Sequence, residues 1–265
     1  MSFAQLNLEL LVARAASNRE AAKPKLAVIY EPAGRAREYA ALAVNLYSGC
    51  GHGCAYCYAP AALKMDRKKF VESPGPRARD FWNLLEKDLS VLEGREIEPV
   101  LMCFSCDAYQ PLDVKLKYAR RALEAFRAHD VPFQVLSKGG MRCARDFELY
   151  GPHDIFAATM TFVDAAKSQQ WEPEAALPAN RIAALKLAHE RGIKTWVSLE
   201  PVIEPKESLA CIDACAFVDG FKVGTWNHDA RAKAIDWHAF VHAAESRIKA
   251  LGKELYIKKD LMKFY

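Results

Sequence analysis

The chain has 265 residues, of which 51% are hydrophobic and 26% are charged, and its net charge is +4. This length supports one large α/β domain or two small ones with an ample core, and the composition excludes a disordered or collagen-like chain. No apolar run approaches the roughly 18 residues that a membrane-spanning helix needs and the N-terminus shows no secretory leader, so we predict a soluble cytoplasmic protein with no membrane partner.

Strand-like and helix-like segments alternate along the chain after residue 40. Residues 1–40 form a predicted N-terminal extension with a short helix near Leu8 to Ala22. Short apolar runs predict six strands, at Ala43–Tyr47, Pro99–Phe104, Phe133–Leu136, Ile155–Thr161, Thr195–Leu199 and Phe217–Val223. Helical patterns predict helices at Asp80–Leu92, Val114–Ala128, Arg142–Tyr150, Pro178–Arg191 and Lys206–Cys215. A last amphipathic helix, Asp236–Leu251, lies in a predicted C-terminal helical extension over residues 231–265.

This alternation predicts a parallel sheet with helical crossovers. An open doubly wound sheet and a partial barrel both fit the six strand–helix units, which we treat as one domain over residues 41–230. In either architecture, ligands gather at the carboxyl ends of the strands. Polar and sulfur-bearing residues follow the predicted strands there, at Cys50–Cys57, Ser105–Gln110, Ser137–Gly140, Thr159–Phe162, Glu200 and Thr225–His228.

Three of the eight cysteines lie within eight residues, directly after the first predicted strand. Cys50, Cys54 and Cys57 have the spacing C-x₃-C-x₂-C, and the glycines at 49, 51 and 53 let the backbone curl so that the thiolates converge. In a reducing compartment, such a cluster indicates metal binding or catalysis rather than disulfides. Three thiolates do not complete a structural zinc site, whereas an iron–sulfur cubane held by three cysteines leaves one iron for a small molecule. A zinc site completed by His52 or a distant cysteine is the alternative.

This spacing, with the aromatic Tyr56 before the last cysteine, resembles the signature of the radical S-adenosylmethionine (radical SAM) enzymes. The resemblance implies a partial (β/α)₆ barrel of TIM type over roughly residues 43–225, which favours the barrel over the open sheet. It also implies that Cys50, Cys54 and Cys57 hold a [4Fe–4S] cluster whose open iron chelates S-adenosylmethionine. One electron, from a flavodoxin- or ferredoxin-like partner, then cleaves that cofactor to a 5′-deoxyadenosyl radical that abstracts a substrate hydrogen.

Longer stretches are similar to the spore photoproduct lyase-like branch of that superfamily. They read Asn45-Leu-Tyr-Ser-Gly-Cys-Gly-His-Gly-Cys-Ala-Tyr-Cys-Tyr-Ala, Ser105-Cys-Asp-Ala-Tyr-Gln-Pro and Leu136-Ser-Lys138. By this similarity Lys138 meets the S-adenosylmethionine carboxylate; a solvated surface lysine is the alternative. The branch further implies a thymine-like base in DNA, or a nucleotide, as substrate. A peptide or small-metabolite substrate stays an alternative, as does a non-catalytic zinc or cluster-binding interaction protein.

The chain departs from the true photoproduct lyase at the hydrogen donor. The lyase has a cysteine three residues before its aspartate, where this chain has Phe104. Cys106, directly before the aspartate, is the candidate hydrogen-atom donor, and Tyr58 is the candidate radical relay, with packing as the alternative for both. The candidate cofactor-binding residues are Tyr56, Ser105, Asp107, Lys138, Thr159 and Glu200. Glu200 would accept hydrogen bonds from ribose hydroxyls or a substrate ammonium, or form a salt bridge to a neighbouring loop.

Two further features bear on the substrate. Thr225–His228 places an aromatic ring beside amide and imidazole groups, which fits the lining of a site for a planar molecule, although a lone His228 is more often structural. Basic runs at Lys64–Lys69 and Lys258–Lys263 predict either contacts with phosphates or solvated helix faces.

Overall fold

A computed structural model of the chain describes residues 25–77 and 79–265. The short helix predicted near Leu8 to Ala22 lies outside these residues. The strands are β1 (Ala43–Val44), β2 (Tyr47–Ser48), β3 (Gly75–Pro76), β4 (Val100–Met102), β5 (Phe133–Ser137), β6 (Ile155–Thr159), β7 (Lys194–Leu199), β8 (Gly220–Val223) and β9 (Glu254–Ile257). Seven of them form one parallel sheet in the order β1-β4-β5-β6-β7-β8-β9, and β2 and β3 form a small antiparallel pair.

Helices connect the strands and cover the outer face of the sheet. They are α1 (Ala59–Ala62), α2 (Arg67–Glu72), α3 (Phe81–Leu92), α4 (Asp113–Leu116), α5 (Tyr118–Ala128), α6 (Ala165–Trp171), α7 (Pro178–Glu190), α8 (Pro205–Ala214), α9 (Trp237–Ala250) and α10 (Lys259–Met262). Short 3₁₀ helices span Gly34–Glu38, Gly140–Leu149 and Ala230–Ala234. Local sequence explains several starts: Asp164 and Asp236 cap α6 and α9 with their side chains, and proline opens α7 and α8.

The alternation of side chains along each strand divides the core into two parts. In β4, Val100 and Met102 belong to the large core beneath the helices, while Leu101 between them belongs to a smaller cluster. That smaller cluster fills the inside of the curved sheet, where Tyr39, from the segment before β1, packs against Trp196 of β7. The interior is therefore packed below the strand ends, and the space for a ligand lies above it.

The predicted fold class, a partial TIM-type barrel, is confirmed, although several predicted elements differ in detail. The predicted helix Val114–Ala128 is two helices, α4 and α5, because Lys117 between them is left-handed, and the predicted strand Ala43–Tyr47 is divided between β1 and β2. The sheet has seven strands rather than six, because β9 extends it beyond β8 within the segment predicted to be a helical extension. Alternate residues of β9 are exposed, so this short edge strand lacks the continuous apolar run that marks the others. The segment predicted as the helix Arg142–Tyr150 is the 3₁₀ helix Gly140–Leu149. The domain boundaries at residues 40 and 230 stay predictions.

No helix within residues 25–77 and 79–265 combines the length and the apolar character that crossing a membrane requires.

Candidate active site at the carboxyl ends of the strands

A cavity of about 530 Å³ opens at the carboxyl ends of the sheet strands. All the residues predicted from the sequence to form the site line it: Cys50, Cys54, Tyr56, Cys57, Tyr58, Ser105, Cys106, Asp107, Lys138, Thr159 and Glu200. They come from loops separated by up to 150 positions in the chain, which the parallel sheet brings to one edge. The structure therefore gathers the predicted site, while the role of each residue stays a prediction.

The cysteine loop begins at a glycine that no other residue could replace without strain. Gly49 has φ 86°, and a Cβ atom there would lie 2.6 Å from the backbone oxygen of Phe70 in α2. That same oxygen accepts a hydrogen bond from the Cys50 N–H at 3.0 Å. The next N–H, of Gly51, donates to the side-chain oxygen of Gln110 at 2.7 Å. The path of the chain into the first cysteine is thus fixed by α2 and by the loop after β4.

The end of the loop is held by an arginine. The Arg67 guanidinium donates to the carbonyl oxygens of Cys54, at 2.6 Å, and of Cys57, at 3.2 Å. All eight cysteines are free thiols, and the three of the loop face one cavity. Burial raises the pKa of the Cys50 thiol well above its usual range and that of Cys54 to about 11. Ligation by a metal centre would convert these thiols to thiolates.

These residues fit a cluster better than they fit a zinc ion completed by His52. The buried His52 ring is engaged on both sides: Nε2 lies 3.0 Å from Arg142 Nη2 and Nδ1 lies 3.4 Å from an Asp107 oxygen. Because arginine only donates, Nε2 accepts and Nδ1 carries the proton that faces Asp107. Burial lowers the pKa of His52 to about 4, which keeps the ring neutral. Within the described residues no three His, Cys, Asp or Glu side chains converge on one metal-ion position, and this holds for Cys50, Cys54 and Cys57 as well as for His52.

Asp107 lines the cavity, but its carboxylate already accepts hydrogen bonds from residues of the protein. It accepts hydrogen bonds from the Ser137 hydroxyl at 2.7 Å and from the Lys138 N–H at 2.7 Å, both at the end of β5. Burial by itself raises the pKa of Asp107, but His52 and the Lys138 backbone and side chain lower it further than burial raises it. The structure shows a carboxylate that positions the neighbouring loops, and the predicted direct contact with a cofactor stays untested.

Lys138 presents its ammonium group to the cavity. Within the described residues, Lys138 Nζ forms no hydrogen bond or ion pair. It lies over the Tyr56 ring, 5.8 Å from the ring centroid. Burial alone lowers the pKa of Lys138, but Cys54, Glu172 and Asp107 together raise it above its usual value. The group is therefore a charged donor with room for an anionic partner.

Tyr56 is tied to a buried ion pair that the sequence did not reveal. Its hydroxyl donates to Glu172, which forms a close ion pair with Arg181. The Arg181 guanidinium also donates to the backbone oxygens of Thr159, at 2.9 Å, and Ala176, at 2.6 Å. This network connects the cysteine loop to the end of β6 and to α7, so it fixes Tyr56 and Thr159 relative to each other.

Glu200 lies at the end of β7 in a second network. Its oxygens accept hydrogen bonds from the Tyr39 hydroxyl at 2.5 Å and the Asn227 amide at 3.2 Å, and from the ammonium of Lys258. Lys258 is 4% exposed, so this part of the predicted basic tail lies neither on a solvated face nor free for phosphates. Nothing in the sequence distinguishes Lys258 from the other tail lysines, because its burial depends on β9 joining the sheet. The predicted salt bridge of Glu200 is present, and a ribose contact stays a prediction.

An aromatic pair stands at the mouth of the cavity. Tyr58 is 41% exposed, and its ring stacks on His228, with centroids 6.0 Å apart. The Phe104 ring also lies next to Tyr58, with ring centroids 6.3 Å apart.

The Asn45 side-chain oxygen accepts hydrogen bonds from the Ser105 N–H at 2.8 Å and from the Cys106 thiol at 3.9 Å. Sequence similarity singled out Asn45 only as part of a motif, and the structure shows what it holds.

Comparisons with known proteins agree with this architecture. No family model matches the chain. An uncharacterized protein of Methanocaldococcus jannaschii is 26% identical over 164 residues, which span 60% of each protein and so less than two thirds of that relative. Spore photoproduct lyase complexed with dinucleoside spore photoproduct superposes with a TM-score of 0.67 and 14% identity, covering 90% of this chain and 80% of the lyase. Streptococcus suis SuiB bound to S-adenosylmethionine superposes with a TM-score of 0.58 and 12% identity, covering 81% and 49%.

Both structures are of radical SAM enzymes. At this level of identity the similarity establishes architecture, and the lyase matches over most of its length. The chain therefore has the radical SAM fold, in the form seen in spore photoproduct lyase, as the sequence motifs predict.

Proposed function

We propose that this protein is a radical SAM enzyme. Cys50, Cys54 and Cys57 would hold a [4Fe–4S] cluster, and the same cavity would bind S-adenosylmethionine beside it. When bound, this pair of cofactors supplies reductive cleavage to a 5′-deoxyadenosyl radical that abstracts a hydrogen from the substrate. One observation carries the proposal: three free thiols of one loop line one cavity at the strand ends together with a charged ammonium to which no described residue is bonded.

The residues of the chain have distinct tasks in this proposal. Lys138 binds the carboxylate of S-adenosylmethionine by a charge-assisted hydrogen bond. Asp107 holds the Lys138 backbone at 2.7 Å, so it places that lysine. Arg67 fixes the carbonyl groups of the cysteine loop and so keeps the thiols turned to one side. The apolar rings around the cavity exclude bulk solvent and so limit side reactions of reactive intermediates.

For the substrate we propose a planar base in a nucleotide or in DNA, of the thymine type. The exposed Tyr58 ring, stacked on His228, offers a flat surface on which a base can stack, and such stacking contributes about 1–3 kcal/mol per base. The Arg35 side chain lines the same cavity and is 51% exposed; its Nε pairs with Asp260, and its other guanidinium nitrogens could contact a phosphate. The structurally similar lyase binds a dinucleoside, the spore photoproduct, which belongs to the same class of molecule. Cys106 would donate a hydrogen atom to the product radical and Tyr58 would relay it.

The first experiment tests the radical chemistry. The protein is reconstituted anaerobically with iron and sulfide, reduced with dithionite or with a flavodoxin, and assayed for 5′-deoxyadenosine from S-adenosylmethionine. We expect product from the wild type and from Cys211→Ala, whose cysteine lies outside the cavity, and none from the Cys50→Ala/Cys54→Ala/Cys57→Ala variant. Stoichiometric zinc with no product would contradict the proposal and support a non-catalytic protein.

A second measurement tests Lys138. A hydrogen bond to a charged group contributes about 1.5–3 kcal/mol, so Lys138→Met should weaken S-adenosylmethionine binding by about 10- to 100-fold. The control is Lys68→Met, which removes a lysine that is 78% exposed. Equal affinity in the two variants would show that Lys138 does not bind the carboxylate.

The substrate requires a separate comparison. Production of 5′-deoxyadenosine should rise with thymine-containing DNA or oligonucleotides and should not rise with peptides. Tyr58→Leu should reduce this stimulation while leaving the basal cleavage of S-adenosylmethionine measurable. Stimulation by peptides or small metabolites alone would replace the nucleobase proposal by its alternative.

A further inference from the structure

Two cysteines at the end of β4 remain outside the cluster assignment. Cys103 and Cys106 are separated by two residues, in the order Cys-Phe-Ser-Cys, and both line the cavity as free thiols. Cys103 is 4% exposed, whereas Cys106 is only partly buried. The proposed function uses at most one of them, as a hydrogen donor.

Consecutive residues of the chain hold the two thiols. The Leu46 N–H donates to the Cys103 sulfur at 3.4 Å, and the Cys106 thiol donates to the side-chain oxygen of Asn45 at 3.9 Å. The backbone at Cys103 has φ 65°, a left-handed conformation that a non-glycine residue adopts only where the surroundings impose it. This sharp turn directs the following residues back toward β1.

The two thiols are neighbours in the wall of the cavity. Burial raises the pKa of the Cys103 thiol well above its usual range, and the nearby Cys106 raises it further. The partly exposed Cys106 is accessible from the cavity, and Cys103, which also lines the cavity, is buried. This is the arrangement of an attacking thiol with a resolving partner.

Another close pair of cysteines provides a comparison. Cys211 and Cys215 lie four residues apart around the end of α8, and each is fully buried in the main core. Neither lines the cavity. Proximity alone is therefore common to both pairs, and access from the cavity distinguishes Cys103 and Cys106.

We propose that Cys103 and Cys106 form a redox-active dithiol that faces the cavity and that a small disulfide oxidises. The Cys106 sulfur, as thiolate, attacks the small disulfide and releases one thiol. Cys103 then attacks the Cys106 sulfur, forms the intramolecular disulfide and releases the second thiol. The two protein thiols are oxidised, one small disulfide is reduced to two thiols, and the two protons pass to the released thiolates.

Once a cluster ligates Cys50, Cys54 and Cys57, Cys103 and Cys106 are the remaining thiols among the described residues that line the cavity, so their redox state sets whether it contains an S–H group. If the proposed function holds, only the reduced form can give a hydrogen atom to a substrate radical. The dithiol itself does not depend on that function, because its oxidation requires neither the cluster nor S-adenosylmethionine.

The experiment uses peptide mass as its readout. The reconstituted protein is equilibrated anaerobically with mixtures of reduced and oxidised glutathione, quenched with acid, denatured, alkylated with N-ethylmaleimide and digested with trypsin. Cleavage after Arg95 and Lys115 gives the peptide 96–115, whose only cysteines are Cys103 and Cys106. Cleavage after Lys206 and Lys222 gives the control peptide 207–222, whose only cysteines are Cys211 and Cys215.

As the oxidised fraction of glutathione rises, we expect peptide 96–115 to lose both alkyl groups together and to become two hydrogens lighter than its reduced form. The control peptide should keep both alkyl groups throughout. In Cys103→Ala, oxidation should stop at a glutathione adduct on Cys106. Retention of both alkyl groups in the wild type, or a glutathione adduct without the internal disulfide, would overturn the proposal. A radical assay that fails while this result is positive would refute only the proposed function.

Discussion

Arg181 offers the sharpest test of how the interior of the site is stabilised. Its guanidinium and the Glu172 carboxylate form an ion pair in which both side chains are at most 1% exposed. Replacing the arginine in Arg181→Met keeps most of the side-chain volume and removes the cation. The change leaves the Glu172 charge in the core without its partner and removes the hydrogen bonds to Thr159 and Ala176.

The magnitude follows from burial. Removing one partner of a buried ion pair costs about 3–5 kcal/mol, because the remaining charge is neither paired nor hydrated. A domain has about 5–15 kcal/mol of total stability, so Arg181→Met should remove a large part of it. Burial by itself raises the pKa of Glu172, but Arg181, followed by Lys138, lowers it below its usual value. Without Arg181 that pKa rises, and protonation of Glu172 limits the loss at low pH.

The assay is urea denaturation at pH 7 and at pH 5. It gives, for each variant, the free energy of unfolding and the slope of that free energy against urea concentration. The double variant Glu172→Gln/Arg181→Met should be more stable than Arg181→Met at pH 7, because no charge is left unpaired. Arg247→Met, which breaks an exposed ion pair with Asp213, should change stability by less than about 1 kcal/mol. If Arg181→Met is no more destabilising than Arg247→Met, the reasoning from burial is wrong.

Three further predictions concern the loop, the surface and the barrel. Gly49→Ala should lower the free energy of unfolding by more than Gly94→Ala. Both changes put a side chain on a residue of positive φ, which costs about 1–2 kcal/mol, but only the new Cβ at position 49 also meets the backbone of Phe70. Equal losses in urea denaturation would contradict this. The Glu93 and Glu86 carboxylates, each 3.0 Å from the ring, raise the pKa of His129. The stability that these ion pairs contribute is therefore complete below about pH 6.5 and is lost as the pH rises through the raised pKa. His129→Gln should weaken this dependence of the free energy of unfolding on pH, measured by urea denaturation. Lys258→Met should cost about 3 kcal/mol by leaving a carboxylate short of its cation, and a cost no larger than that of Lys68→Met in the same assay would show that the contact contributes little.

The position of the site was predictable from the sequence, because strand order follows from few rules. A strand–helix alternation places every strand end at the same edge, so Lys138 and Glu200 had to approach the cysteine loop once the strands were identified. The glycines around Cys50 also announce a tight loop. What these rules do not contain is which side chains already have partners. The sequence indicates no internal partner for Asp107 and leaves open whether Glu200 forms a salt bridge or binds a ligand, and the structure shows both carboxylates accepting hydrogen bonds within the protein.

The misses in the fold have a similar cause. The seventh strand, Glu254–Ile257, is stabilised by its pairing with β8, and its own residues alternate between exposed and half-buried. A pattern this short does not predict a strand when helices surround it. The burial of Lys258 follows from the same event, since the residue comes directly after that strand. Both depend on contacts across the sheet rather than on local sequence.

Of the lysine and arginine side chains that line the cavity, Lys138 alone has no bonded partner within residues 25–77 and 79–265. Lys258 is neutralised by Glu200, and Arg35 pairs with Asp260, so the other cations that line the cavity have partners within the chain. The carboxylates of Asp107 and Glu200 likewise accept hydrogen bonds from groups of the protein. Lys138 differs, because its ammonium is held charged by the field of its neighbours while no described group bonds to it. A desolvated charge without a partner is unfavourable unless a ligand of opposite charge completes it. In the proposed function, the carboxylate of S-adenosylmethionine would be such a ligand.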